Sequence, residues 1–262
     1  LKIVVCVKVV PKSEEIRVDP DTMMLIREGV RSEINPPDMN ALEMALSLKD
    51  LHGGEVNILS MGPPSFVPFL QVGVAMGADH IYLLSDFSLA GADTLATTYT
   101  LSKGIEKLED VDLVFCGEES SDGATGQVPS GLAEWLEIEG LTLTTRIELD
   151  CSNRSARGRR ETAGGYEILE VPLPCVVSVK TACNEPRFMD YSRKKWAFEN
   201  ERVTIWGAAE IEADPDFIGL KGSPTIVSGL DQAPVRDRKR QFLEGSPAEI
   251  ASQIADILLQ NS

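Results

Sequence analysis

The run Lys2–Val10, K-I-V-V-C-V-K-V-V, constrains this chain more than any other. It is β-branched and nearly continuous rather than alternating. That pattern marks a strand covered on both faces, as in a parallel sheet flanked by helices. The residues after it follow suit. Asn35-Pro36-Pro37-Asp38 stops the chain and starts a helix, with Asp38 as candidate N-cap. Leu42, Ala45, Leu46 and Lys49 share a face of that helix, and Gly53-Gly54 ends it. Glu55–Met61 reads as a second strand, Phe66–Met76 as a helix and His80–Leu84 as a third strand. Asp93 or Thr94 caps a helix to Leu108, and Asp112–Cys116 is a fourth strand. Leu132, Ala133, Trp135 and Leu136 then mark the inner face of another helix. Such alternation predicts an α/β fold: a parallel sheet, right-handed crossovers and helices on both faces.

Two stretches depart from the alternation. Ile16–Val18 and Met24–Arg27 flank Asp19-Pro20-Asp21, which is hairpin punctuation. After Leu136, four β segments follow with short turns: Leu141–Leu149, Arg157–Thr162, Tyr166–Val171 and Cys175–Lys180. They predict a β-rich extension of the sheet. Tyr191–Glu199 is a short helix, the tail from Val203 reads as irregular, and Pro247–Leu259 closes the chain as an amphipathic helix. An irregular arm with such a helix fits either a wrap around a partner subunit or packing on its own domain.

In a doubly wound sheet, ligands bind beyond the carboxyl ends of the strands, where strand order reverses. Those ends carry Lys8–Pro11, Met61-Gly62-Pro63, Ser85–Asp93 and Gly117–Thr125. The last opens a run of small and polar residues, Ser120-Ser121-Asp122-Gly123-Ala124-Thr125-Gly126-Gln127, leading into a helix at Val128. A strand that opens this way presents free N–H groups to an anion, and glycine lets a phosphate approach the backbone. An ordinary polar turn has the same composition.

Composition removes several function classes. The formal charge of −16 argues against nucleic acid, whose phosphates need Lys and Arg. The five cysteines form no C-x-x-C pair and there are two histidines, so neither a disulfide framework nor a His-based metal site is expected. The apolar runs are far short of the roughly 20 residues a membrane span requires, and the N-terminal run is too short for a signal peptide. A cytoplasmic protein is expected. The sequence has no G-x-x-x-x-G-K-[ST], no G-x-G-x-x-G and no G-x-S-x-G, and no pair of acidic residues stands out as an acid/base couple. From its residues alone the chain is an α/β nucleotide binder without an evident catalytic apparatus.

Over nearly its whole length the chain resembles the β subunit of electron-transfer flavoproteins. The residues that carry the resemblance are Val5-Cys6-Val7-Lys8, Asn35-Pro36, Met61-Gly62-Pro63, Ala75-Met76-Gly77-Ala78-Asp79 and the Gly117–Leu136 loop and helix. Further on come Pro174-Cys175-Val176-Val177 and Asn184-Glu185-Pro186-Arg187-Phe188. The resemblance implies a Rossmann-like domain of the adenine-nucleotide α-hydrolase type over residues 1–200. It implies an arm and helix over 201–262 that wrap an α subunit, and electron passage to or from a dehydrogenase such as an acyl-CoA dehydrogenase. In the housekeeping branch of that family the pocket holds AMP. In the electron-bifurcating branch it holds an FAD that takes hydride from NADH. Gly91-Ala92-Asp93-Thr94, the short Ser121–Thr125 loop, Ala197-Phe198-Glu199-Asn200 and Gly219–Thr225 resemble the bifurcating branch. Glu118-Glu119 and Ser120-Ser121 depart from the family's usual residues.

Carried onto this sequence, the resemblance implies a cofactor site at Cys6, Val7, Asn35, Met61, Gly62, Asp93, Thr94, Asp122, Gly123, Ala124, Thr125, Gly126, Gln127 and Val128. The N–H groups of Gly123, Ala124, Thr125 and Gln127 would hold a pyrophosphate. Asp122 would accept from a ribose or cap the helix. The backbone of Cys6 and Val7 would flank adenine, and Asn35 would bond base or ribose. Asn35 is otherwise a turn residue, and Met61 otherwise core. Met189 and Tyr191 fall where the family docks its dehydrogenase, and a tyrosine packed locally is the alternative. A non-redox nucleotide-binding module of the same fold is the remaining rival.

Overall fold

The computed structural model describes residues 1–12, 17–18, 25–26, 31–200, 202–226 and 242–260. In chain order the elements are β1 (Lys2–Cys6), β2 (Val9–Pro11), β3 (Arg17–Val18), β4 (Leu25–Ile26), β5 (Ser32–Ile34), α1 (Pro36–His52), β6 (Glu55–Met61), α2 (Val67–Met76), β7 (His80–Leu84), α3 (Thr94–Leu108), β8 (Leu113–Gly117), α4 (Val128–Trp135), β9 (Glu139–Asp150), β10 (Ser155–Thr162), β11 (Gly165–Pro172), β12 (Cys175–Val179), α5 (Tyr191–Glu199), β13 (Val203–Trp206) and α6 (Pro247–Gln260). Residues 1–229 form one compact unit and residues 230–262 a second.

The strand order is β11-β10-β9-β12-β8-β1-β6-β7-β13. From β12 to β13 every neighbouring pair is parallel. The first part of β9 runs parallel to β12, and its later part pairs antiparallel with β10, which pairs antiparallel with β11. This is the Rossmann-like α/β sheet expected from the alternation, with the β-rich extension at one edge.

Alternation of side chains along each strand supplies both helix layers. Ile3, Val5 and Val7 join the core cluster that includes α1 and α2, while Val4 and Cys6 join the cluster that includes α3 and α4. Leu113 and Phe115 divide from Val114 and Cys116 in the same way. Both faces are covered, so both parities are apolar, and the strands read as continuous hydrophobic runs.

Two expectations need correction. The helix α1 begins at Pro36, with Asn35 in the N-cap position, so Asp38 is not the cap. Proline suits the first helical turn, where its missing N–H costs nothing, and the Pro36-Pro37 pair therefore enters the helix rather than preceding it. The tail is also not irregular from its start: Val203–Trp206 pairs in parallel with β7 as an edge strand. Of the expected hairpin, Arg17–Val18 pairs with Leu25–Ile26, and its Asp19-Pro20-Asp21 turn lies outside the described residues. In the second unit α6 opens with a reciprocal capping pair, in which the Ser246 N–H donates to the Glu249 carboxylate at 2.8 Å and the Glu249 N–H donates to the Ser246 hydroxyl oxygen at 3.4 Å. Among the described residues no helix is long and apolar enough to cross a membrane.

Candidate functional site

Strand order reverses between β1 and β8. The chain steps from β1 to β6 to β7 on one side, then α3 carries it back to β8 on the other. The β1–β8 ladder spans Ile3–Val5 against Leu113–Phe115, and beyond it the two strands diverge. Asp38 fills the gap: its carboxylate accepts the Lys8 N–H at 2.7 Å and the Gly117 N–H at 3.1 Å. A Cβ on Gly117 would stand 2.5 Å from the Asp38 carboxylate, so glycine is required where α1 meets the strand end. Burial pushes the Asp38 carboxyl up to about 7, against the hydrogen bonds that favour its charge.

The loop after β8 is tied down at its start. The Asn35 amide donates to the Glu119 carbonyl at 2.9 Å and accepts the Ser121 N–H at 3.0 Å. The Glu118 N–H donates to the Val179 carbonyl, and the Glu118 carboxylate accepts the Thr181 N–H at 2.8 Å. Glu118 therefore points its charge toward the end of β12, which accounts for one of the two unusual glutamates. Lys8 reaches across to Asp122 at 2.6 Å. Burial works against the Asp122 charge, but the hydrogen bond and charge of Lys8 hold its carboxyl below the usual range.

The centre of the loop is open. Gly123, Ala124, Thr125, Gly126 and Gln127 are all exposed. Ala124 and Gly126 take left-handed φ values of 47° and 63°. Alternating left-handed residues turn successive N–H groups to one side and make an anion-receptive concavity. Among the described residues, the N–H groups of Gly123, Thr125, Gly126 and Gln127 have no hydrogen-bond partner, whereas that of Ala124 donates to the Ser120 carbonyl at 2.8 Å. Four free donors, the N-terminus of α4 at Val128 and a lysine at the rim suit a pyrophosphate or phosphate.

The other sequence-derived residues surround this loop to different degrees. Cys6 and Val7 are buried at the end of β1, and the Val7 N–H is committed to the Leu59 carbonyl. Met61 ends β6, half-buried against the α3 side of the core, and the Gly62 N–H donates to the Leu84 carbonyl. The Thr94 hydroxyl meets the Thr125 hydroxyl at 3.5 Å. Asp93 caps α3 through the Ala96 N–H and also accepts the Thr225 N–H and hydroxyl. The residues expected to dock a dehydrogenase lie on other elements: Tyr191 begins α5, 84% exposed, with Phe188 98% exposed and Met189 partly so. Among the described residues nothing covers the Tyr191 ring. Lys8 stands in one of the strand ends expected to meet a ligand, whereas Asp38 was expected only as a helix cap and was missed as part of the crevice. The signal for Asp38 was its place three residues beyond Asn35, on the helix face that also holds Leu42 and Ala45. Among the described residues no cluster of three or more His, Cys, Asp or Glu could hold a metal.

Fold and loop together define a Rossmann-like α/β protein with an anion-receptive crevice at its topological switch point. Residues 22–204 match the electron transfer flavoprotein domain. Subunit CarD of a caffeyl-CoA reductase–Etf complex from Acetobacterium woodii is 39% identical over 259 residues, 98% of each chain. An electron transfer flavoprotein subunit beta from Clostridium acetobutylicum is 45% identical over 227 residues, 87% of this chain and 86% of that one. Protein FixA of Azorhizobium caulinodans is 41% identical over 258 residues, 95% and 92% of the two chains. The chain belongs to the electron transfer flavoprotein family, among its β subunits, and its function class is electron transfer.

Proposed function

We propose that this chain is the β subunit of an electron-bifurcating flavoprotein, with FAD in the switch-point crevice and NADH as hydride donor. Its electrons pass through a flavin held with an α subunit to a dehydrogenase, such as an acyl-CoA dehydrogenase. The observation that carries this reading is the short Asp122–Gln127 loop with its four unpartnered N–H groups. A pyrophosphate has more oxygens to satisfy than a monophosphate, and this loop offers donors along its length. Full-length similarity to a subunit of a caffeyl-CoA reductase–Etf complex supports the same branch.

Flavin when bound supplies the redox chemistry, accepting hydride and releasing electrons singly. The chain's residues bind and orient. The N–H groups of Gly123, Thr125, Gly126 and Gln127 hold phosphate oxygens, and Lys8 offsets charge at the rim. Thr94 and Thr125 place two hydroxyls side by side as further donors. Cys6, Val7, Met61 and Gly62 form the apolar floor against which an adenosine packs. Asn35 holds the loop rather than the ligand, because both ends of its amide are spent and it is 1% exposed. Met189 and Tyr191 contact the dehydrogenase.

Denaturing the purified αβ complex and counting released FAD against AMP tests the assignment. Two FAD and no AMP per heterodimer are expected. One FAD with one AMP would replace bifurcation by simple relay.

A further inference from the structure

The helix α1 and its N-cap carry an unusual load of buried polar groups. Asn35, Asp38, Asn40 and Glu43 are all buried polar residues on a helix that otherwise packs Ala41, Leu42, Ala45 and Leu46 into the core. Buried polar and charged groups cost free energy unless they are bonded, so a helix keeps them where they hold something. Here each holds a different segment. Asn35 and Asp38 hold the cofactor loop and the two strand ends beneath it. Just beyond them, Asn40 exchanges hydrogen bonds with Asn184: its amide donates to the Asn184 carbonyl and side-chain oxygen, and the Asn184 amide donates back to the Asn40 carbonyl. Glu43 takes three hydrogen bonds from Arg187, from its N–H at 2.9 Å and from its guanidinium at 2.9 and 3.0 Å. Asp50, two turns on, takes a fourth from Arg187 at 2.8 Å. Asn184 and Arg187 open the segment that exposes Phe188 and Tyr191.

We propose that α1 mounts the two sites of this chain on successive turns, with Asp38 as the positioning residue of the cofactor crevice and Glu43 as that of the docking segment. The proposal rests on the two-site reading above. Carboxylates are suited to both places. Asp38 presents one oxygen to each diverging strand, and an amide there would set its NH₂ against a backbone N–H. Glu43 matches the fork of Arg187 with both oxygens, which fixes direction as well as distance.

The test is a double dissociation in the αβ complex, read by nucleotide content, amide hydrogen exchange and thermal midpoint. Asp38→Asn should weaken retention of added AMP or FAD on the order of tenfold, the effect of leaving one buried backbone N–H without an acceptor. It should speed exchange over residues 118–127 and leave 184–191 unchanged. Glu43→Gln should speed exchange over 184–191 and leave nucleotide content unchanged. If either variant fails to fold, Asn35→Asp probes the loop mount through its bonds to Glu119 and Ser121, and Arg187→Gln probes the docking mount from the side of the guanidinium. Parallel changes in both segments that track the thermal midpoint would reduce α1 to ordinary packing and overturn the proposal, as would no change in either. A wild-type complex free of adenine nucleotide would instead sink the cofactor reading, and the exchange pattern would still decide the docking mount.

Discussion

Asp93 and Thr225 stand 132 residues apart and are clamped together, the Asp93 carboxylate accepting the Thr225 N–H at 3.0 Å and its hydroxyl at 2.7 Å. Ser223 completes the clamp by accepting the Asp93 N–H at 2.8 Å. A Cβ on Gly91 would meet Leu220 at 2.7 Å, so the two segments touch along their length. Gly91–Thr94 and Gly219–Thr225 are two of the tags by which the chain resembles the bifurcating branch, and in the fold they are one feature. Burial opposes the charge on Asp93, but hydrogen bonds led by the Thr225 hydroxyl hold its carboxyl below the usual range. Thr225→Val keeps the shape and removes the hydroxyl donor. It should cost about 0.5–1.5 kcal/mol in urea unfolding and loosen the 219–225 segment in hydrogen exchange. An unchanged exchange rate there would show that the clamp holds nothing.

Much of the fold was legible because its signals are local. Covered strands are apolar at both parities, Asp93 caps α3, and Gly53 and Gly77 end helices with left-handed φ. The edge strand β13 was not legible: V-T-I-W is four residues long, and its partner β7 lies far back in the chain. The candidate site divides the same way. Composition located the 120–127 loop, but which N–H groups are free depends on Ala124 taking a left-handed φ, and alanine gives no hint of that. The role of Asp38 was hidden because it answers a divergence of β1 from β8 that exists only once the strands are assembled.

Gly126 supplies the second test of the loop. Its φ of 63° suits glycine, and its N–H is one of the four free donors. Gly126→Val puts a β-branched residue in the left-handed region, at a cost of roughly 1–2 kcal/mol or more, and should lower AMP or FAD retention in the purified complex. Gly123→Ala should be milder, since its Cβ would meet little beyond the Ser120 hydroxyl oxygen at 3.3 Å. Equal retention in both variants and the wild type would move the phosphates elsewhere.

Lys8 and Asp122 form a pair whose Lys8 side chain is about half exposed. Such pairs contribute little to folding, about 0.2–1 kcal/mol. Lys8→Met should therefore barely move the unfolding midpoint. It should weaken nucleotide binding and flatten its dependence on salt, because the rim cation opposing the phosphates is gone. A calorimetric titration with AMP at two ionic strengths checks this, and parallel salt curves for variant and wild type would reject it.

Asp38 sets a pH dependence with a definite sign. Its carboxyl is raised in the folded chain to about 7, above the ordinary value of 3.8, so folding favours the protonated form. The stability it contributes is fully present below the unfolded value and is lost as pH rises toward about 7. Across that window the wild type should lose stability relative to Asp38→Asn with a slope difference of at most ~1.4 kcal/mol per pH unit. Above it the two curves should run parallel. Urea midpoints at four or five pH values measure the difference, and curves that run parallel across this window would mean that Asp38 stays ionised.

Tyr191 is the test of the docking segment. Its ring is exposed at the first turn of α5, and Asp190 caps that helix by accepting the Arg193 N–H at 2.9 Å. Arg193 in turn donates to the carbonyls of Val74, Gly77 and Ala78 at the end of α2, so the platform under the tyrosine is fixed from below. A fixed platform bearing exposed Phe188 and Tyr191 favours an aromatic anchor, whose truncation typically costs 2 kcal/mol or more, roughly thirtyfold in affinity. Among the described residues Tyr191 is 84% exposed, so after Tyr191→Ala the unfolding midpoint and flavin content should stay at wild-type values. Electron transfer with the chain's dehydrogenase, followed by flavin absorbance over a range of complex concentrations, should then need far higher concentrations to saturate and reach the same maximal rate. A lower maximal rate with unchanged saturation would place Tyr191 in the electron path instead, and loss of flavin with docking intact would assign it to the cofactor.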